Sequence, residues 1–179
     1  VYHPTTNKPV LIESGDAFSL LEFKDSSTTN IPAIGADGNN IIIQTGSLGS
    51  ERMRIDASGN VLVGKTSVGY TVAGGQIEAN GVIGATVNSN QPMFVNRLSS
   101  DGALFGFYKD GTNVGKIASR DSNSIYIGST LGGAIRFTSN DLRPVTFSDR
   151  SSRDNAVDVG DGAVRFDDVY ATNGTIQTS

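Results

Sequence analysis

Residues 59–66, "GNVLVGKT", carry the letters of a phosphate-binding loop: Gly59 and Gly64 with four residues between them, then Lys65 and Thr66. Such a loop turns backbone N–H groups toward a phosphate at a helix N-terminus, and its Lys reaches the outer phosphates. The neighbouring residues argue against that chemistry. The loop interior, Asn60-Val61-Leu62-Val63, is bulky where a phosphate cradle needs small residues. The following "SVGYTVAGGQIEANG" holds four Gly and several β-branched residues, so no helix follows. The preceding "DAS" is turn-forming, and no long buried strand leads in. The pattern predicts a turn at Ser58-Gly59, a strand over 60–63, a second turn at Gly64, no nucleotide, and a Lys65 that folding does not need.

Other groups with chemical potential are sparse. The chain has no Cys, which excludes disulfides and thiolate chemistry, and His3 is its only His. Asp158, Asp161, Asp167 and Asp168 cluster near the C-terminus. They read either as solvated turn carboxylates or as calcium ligands, but their spacing lacks the ordered series and closing Glu of an EF-hand. Glycoside hydrolysis needs two carboxyl groups about 5–9 Å apart in a sugar-binding cleft. The four Glu, at 13, 22, 51 and 78, have no aromatic-rich surroundings. No catalytic residue, metal ligand or cofactor is expected in this chain.

Residues suited to recognition fall in two places. In "LFGFYKDG" (104–111), Phe105 and Phe107 share a face of an extended strand and Tyr108 takes the other. One reading makes the Phe residues core and leaves Tyr108 part-exposed. The other gives Tyr108 a sugar ring to stack on, with Lys109 and Asp110 as polar contacts. The segment 138–155 has no clean period and mixes Arg143, Arg150 and Arg153 with Asp141, Asp149 and Asp154. It reads as a solvated loop, or as a loop whose Arg and Asp side chains hydrogen-bond hydroxyls or phosphates of a ligand.

These residues need strands to hold them. Apolar runs are short and end at Gly or at Asn/Asp/Ser clusters, as in "NNIIIQTG" (39–46), "GNVLVG" (59–64), "NSIYIG" (123–128) and "NAVDVG" (155–160). No window of twelve residues sustains a 3.6-residue apolar period, and "GDAFSLLEFKD" (15–25) is read as a strand. A repeat emerges from the runs. "IIIQTG" leads to "RMRI" (52–55), "IYIG" to "AIRF" (134–137), and "VDVG" to "AVRF" (163–166). Each unit is a predicted hairpin whose second strand carries an Arg (54, 136 or 165) between apolar residues. Alternation turns that Arg away from the core face. Three similar hairpins also arise by chance in a chain of short strands.

The whole chain of 179 residues is all-β by this reading. Its 22 Gly and net charge of −4 suit turns and disfavour non-specific nucleic-acid binding or an anionic membrane. No apolar run approaches the ~20 residues of a membrane helix. The opening "VYHPTTNKPV" has no apolar signal region and reads as a fragment boundary or as chain leading in from something upstream. Short hairpins bury little alone, so the strands need either a closed sandwich or neighbouring chains. Three copies wound about one axis would give each strand a partner and cover its edges.

Two stretches resemble a known family. "ERMRIDASGNVLVGKT" (51–66) is similar to a segment common in bacteriophage tail fibres and tailspikes. "DNAVDVGDGAVRFDDVYATNGTIQTS" (154–179) resembles the stretch that in phage fibres precedes an endosialidase-type intramolecular chaperone. That chaperone assembles the trimer and then cuts itself off after a Ser. The resemblance implies an elongated, intertwined homotrimer of short strands and hairpins, like a triple β-helix. It implies a virion tail-fibre location and attachment to a host receptor, a lipopolysaccharide glycan or an outer-membrane protein. It also implies autocleavage at Ser179 with a transient chaperone partner. It divides the chain into a stem or collar (1–66), a central region with receptor-contacting loops (67–153) and a C-terminal hairpin segment (154–179). Tyr108, Lys109, Asp110, Arg143, Arg150 and Arg153 become the candidate receptor contacts. The alternatives are a glycan-degrading tailspike fragment and a purely structural shaft.

Overall fold

The computed structural model describes residues 10–46 and 49–148. The described chain is all-β, without a helix, and forms two antiparallel sheets. The first is a seven-stranded meander: β1 (Phe18–Glu22), β2 (Ala33–Asp37), β3 (Asn40–Gln44), β4 (Glu51–Ile55), β5 (Val61–Val63), β6 (Gly74–Ile77) and β7 (Ile83–Thr86), each paired to the next. The second is a five-stranded meander: β8 (Ala103–Lys109), β9 (Thr112–Arg120), β10 (Ser124–Ser129), β11 (Gly133–Phe137) and β12 (Leu142–Thr146). The chain divides into compact units between Phe94 and Val95. The boundary expected after residue 66 lies between β5 and β6, which pair directly.

Turn chemistry sets the registers. Asp110 and Gly111 both have positive φ, 49° and 77°, as the two central residues of a type I′ hairpin must. The β4–β5 and β6–β7 connections are copies of one device. In "DASGN" (56–60) Gly59 has φ 86°, and its N–H donates to the Asp56 carbonyl at 2.9 Å. In "EANGV" (78–82) Gly81 has φ 92°, and its N–H donates to the Glu78 carbonyl at 2.8 Å. Each is a tight turn closed by a left-handed Gly. Asp56 accepts from the backbone N–H groups of Ser58 and Asn60, both at 2.9 Å, and from the Asn60 amide at 2.8 Å. The Asn60 side-chain bond, ahead of the backbone ones, holds the Asp56 carboxyl below the usual range. Asn side chains then staple successive turns along one end of the sheet. Asn40 Oδ1 accepts from Ala57 N–H at 3.0 Å, and Asn60 Oδ1 accepts from Ala79 N–H at 2.9 Å. Asn60 thus belongs to the turn, and the strand expected over 60–63 begins one residue later.

Two of the three predicted hairpins form, β3–β4 and β10–β11. The third, with Arg165, lies outside the described residues. The direction of the Arg side chains differs from expectation. Pairing aligns Leu20, Gly35, Ile42, Arg54, Leu62, Gln76 and Gly84 across the first sheet, so they share one face. Ile42 and Leu62 on this face are fully buried. Arg54 therefore sits on the face that carries the buried side chains. Its guanidinium is held by Glu51 through two contacts, 2.8 and 2.6 Å, and by Asp37 at 2.8 Å. Glu51 foremost keeps the Arg54 pKa above the usual arginine value. The second sheet repeats this: Arg136 is opposite buried Tyr126 and reaches Asp121 at 2.6 Å and Ser124 Oγ at 2.9 Å. In both units the acid stands four residues before the first Ile of the hairpin, Asp37 before Ile41 and Asp121 before Ile125.

The opposite faces are apolar and open. One row across the first sheet runs Ala36, Ile41, Ile55, Val61, Ile77, Ile83; the next runs Leu21, Ile34, Ile43, Met53, Val63, Gly75, Ala85. Ile41, Ile55, Ile77, Ile83, Leu21, Ile34 and Val63 are all exposed large hydrophobics. In the second sheet Pro144, Ile135, Ile127, Ile117 and Phe105 form such a row, with Ile125, Phe137 and Leu142 beside it. Buried apolar residues among the described residues number only seven: Ala33, Ile42, Leu62, Ala118, Tyr126, Ala134 and Val145. The last four form the cluster of the second sheet, under Phe147. Lys116 Nζ lies 4.2 Å from the Phe147 ring centre and 5.5 Å from that of Tyr126.

Candidate functional site

The phosphate-loop letters fold as structure. Gly64 follows β5, and Lys65 is 7% exposed, buried over the sheet. Its ammonium donates to the Gly69 carbonyl and, at 2.8 Å, to Gln76 Oε1. The Gly69 N–H donates to the same Gln76 oxygen at 3.0 Å. Gln76 in turn donates to Glu78 Oε1 at 2.7 Å, and the Tyr70 hydroxyl donates to that oxygen at 2.8 Å. The hydrogen bond to Glu78 raises the Tyr70 pKa above its usual value. Lys65, Gly69, Tyr70, Gln76 and Glu78 therefore close the 64–73 segment against β6. Gly74 leaves room for the lysine stem, because a Cβ there would stand 2.9 Å from Lys65 Cδ.

The burial and hydrogen bonds of Lys65 argue against the expectation that folding does not need it. Lys65→Ala removes both donated bonds from a buried position. A loss of about 1–2 kcal/mol is expected, read as a lower denaturant midpoint with unchanged slope. ATP should leave the melting temperature of the wild-type chain unmoved, because the ammonium a phosphate would need is already bound inside. An ATP-dependent rise that grows with ligand concentration would restore the nucleotide reading.

Tyr108 is 67% exposed at the end of β8, one residue before the Lys109–Thr112 pair that closes the hairpin. Its ring lies along the strand over Gly106, where a Cβ would come within 2.9 Å of the ring. That leaves the outer ring face to solvent. Lys109 and Asp110 form an exposed ion pair with each other at the hairpin tip. The β-ladder shifts register between Phe107 and Tyr108, which re-aims the tip. Phe105 and Phe107 do lie opposite to Tyr108, but they are not in the chain's own core: both are exposed on the open apolar face.

Arg143 is in no loop. Residues 142–146 form β12, paired with β11 in register, so the first part of the segment read as 138–155 loop is an edge strand. Pro144 hid it; an edge strand tolerates a residue with no N–H because one side has no partner. Arg143 pairs with Asp141 at 2.7 Å, and this pairing, first among its partners, lowers the Asp141 pKa. Four strand spacings separate β12 from β8, roughly 19 Å at ~4.8 Å each. The structure thus does not bring Arg143 and Tyr108 into one site. Arg150, Arg153, the Asp158–Asp168 cluster and Ser179 lie outside the described residues.

Sequence reasoning missed the Lys65–Gln76–Glu78–Tyr70 network. Its signal was available only as the 22-residue offset between "RIDASG" (54–59) and "QIEANG" (76–81), which places Gln76 where Arg54 stands in the previous turn unit. No protein family, curated protein or solved structure matches this chain.

Proposed function

We propose that this chain is the distal part of a bacteriophage tail fibre, a homotrimer that attaches the particle to a bacterial surface glycan or outer-membrane receptor. The observation that carries the reading is the pair of open apolar faces, rows of Ile, Val, Leu and Phe on both sheets. A sheet with one apolar face needs a covering layer. Within each sheet the opposite, Arg-bearing face already carries its own ion pairs and hydrogen bonds. The occupants of the apolar faces are two further copies of this chain, in keeping with the fibre-like stretches 51–66 and 154–179. Attachment needs no chemistry from the chain, because weak sites displayed in several copies sum to a strong one.

Sedimentation equilibrium of the purified protein should give three times the 18.7 kDa chain mass. A folded monomer or a dimer at micromolar concentration rules the trimer out. Maturation in this reading is release of a downstream chaperone by cleavage after Ser179. Intact-mass measurement of the chain taken from particles should find Ser179 as its last residue, and a longer product removes the cleavage step from the proposal.

A further inference from the structure

At the start of the second sheet a depression of about 450 Å³ is lined by Arg97, Ser99, Ser100, Asp101, Ser119 and Ser122. Its size falls within the roughly 300–1,000 Å³ of small-molecule sites, but such sites are mostly apolar. This one is lined by four hydroxyls, one guanidinium and one carboxylate. Arg97 is fixed in place. Its Nε donates to the Ser100 carbonyl at 3.0 Å and its Nη2 to Ser100 Oγ at 3.2 Å. The guanidinium lies flat against Gly102, where a Cβ would come within 2.8 Å of Cζ. Among the described residues Arg97 has no carboxylate partner, and its Nη1 has no acceptor.

The backbone around the depression is unusual. Ser99 and Ser122, both in the lining, have φ of 68° and 58°, and Asp121, next to Ser122, has 55°. Gly is the default residue in this left-handed region, because a Cβ is crowded there. Serine at these positions retains a hydroxyl at a steric cost, and neither the Ser99 nor the Ser122 hydroxyl has a hydrogen-bond partner among the described residues. Asp101 meanwhile accepts from the Asp121 N–H at 2.6 Å, which ties the β9–β10 turn to the rim. Asp121 and Ser122 owe their φ to the β9–β10 turn they form, whereas Ser99 lies in no hairpin and is the outlier that marks this hollow.

We infer that this depression binds one hydroxyl-rich sugar ring, with Arg97 donating to ring hydroxyl oxygens and Ser99 and Ser122 donating or accepting. A charged donor beside dual-purpose hydroxyls matches a vicinal diol. The inference rests on the attachment reading for the source of the sugar, a surface glycan, and it places the contact away from the Tyr108 tip and Arg143.

Saturation-transfer NMR with D-glucose, D-galactose, N-acetyl-D-glucosamine and D-glucuronic acid at millimolar concentration tests it on the assembled protein. At least one sugar should receive saturation from the wild type. Arg97→Ala should weaken that sugar roughly tenfold or more, since a charged donor is lost. The double variant Ser99→Gly/Ser122→Gly should also weaken it while melting at the same or a higher temperature, because Gly relieves the left-handed strain. A merely structural role for these serines would move stability and leave binding alone. Saturation that survives in both variants overturns the assignment, as does saturation of none of the four sugars. Adhesion of the labelled protein to a panel of Gram-negative cells separates the two levels. Wild-type and variant proteins that adhere equally leave attachment standing and overturn this pocket. A wild-type protein that adheres to no strain overturns attachment and the pocket together.

Discussion

A carboxylate at position 55 should reduce the proposed trimer to single chains. Ile55 is mid-row on the open apolar face of the first sheet, between Ile41 on β3 and Val61 on β5, and is 38% exposed in the single chain. Burying such a side chain at an interface contributes about 2 kcal/mol. In the proposed trimer threefold symmetry repeats any change three times, so the lost burial alone is about 6 kcal/mol per trimer, or on the order of 10⁴ in the association constant. The desolvation cost of three carboxylates adds to this. Ile55→Asp should therefore sediment as a monomer, and its far-ultraviolet dichroism should remain that of a β protein, because the Arg54 face and the turn staples lie on the other side or at the end of the sheet. Leu131→Asp is the control. Leu131 is 97% exposed at the β10–β11 turn, and a charge there should change nothing. If Ile55→Asp sediments and melts like the wild type, the open face is not an interface between copies.

The second large effect is expected from a single methyl group in the second sheet. Gly128 lies on β10, the central strand, opposite Ala134 on β11. A Cβ there would stand 2.3 Å from Ala134 Cβ and 2.9 Å from the Ala134 Cα and the Gly133 carbonyl oxygen. No flexible side chain is at hand to move aside, and β10 is held on both edges by β9 and β11. Gly128→Ala should destabilise by about 3 kcal/mol, the upper part of the usual overpacking range, measured by denaturant unfolding. Gly115 on β9 meets the same residue from the other face of the sheet, since its own Cβ would come within 2.8 Å of the Gly128 carbonyl oxygen. Gly115→Ala should couple to Gly128→Ala, with the double variant departing from the sum of the singles. Gly35 makes a closer approach still, 2.0 Å from the Ser19 carbonyl oxygen, but β1 is an edge strand and can move away. Full stability in Gly128→Ala would mean that β10 and β11 part more easily than their pairing implies.

Much of the strand structure was legible because it is local. Short β-branched runs ending at Gly or Asn specify strands and turns without outside help, and the segments read as strands at 15–25, 39–46, 59–64 and 123–128 all carry one. The strand inside the phosphate-loop letters was recognisable for the same reason: Val61-Leu62-Val63 is a short β-branched run between turn residues. Which polar residue holds which turn was not legible. Lys65 reaches Gln76 eleven positions on, and Arg54 reaches Asp37 seventeen positions back. Such pairings follow from strand register, which local composition does not state. The strand at 142–146 was hidden by Pro144, whose missing N–H matters only if a neighbour needs it, and the sheet order puts that strand on an edge.

Period-two alternation correctly put Arg54 and Arg136 on the face opposite Ile55 and Ile135, yet it cannot tell which of two faces a chain covers by itself. That was settled by tertiary structure alone. Long polar side chains and their ion pairs share one face with the buried Ile42, Leu62 and Tyr126, while the apolar rows are left open. The sequence by itself determined an all-β chain of short strands and their turns, including the strand Val61–Val63 inside the phosphate-loop letters, because each depends on residues a few positions apart. The tertiary structure decided the stapling of the turns, the burial of Lys65, the separation of Tyr108 from Arg143 and the serine-lined hollow beside Arg97. Each of these requires residues distant in the chain to meet, and only the pairing of whole strands brings them together.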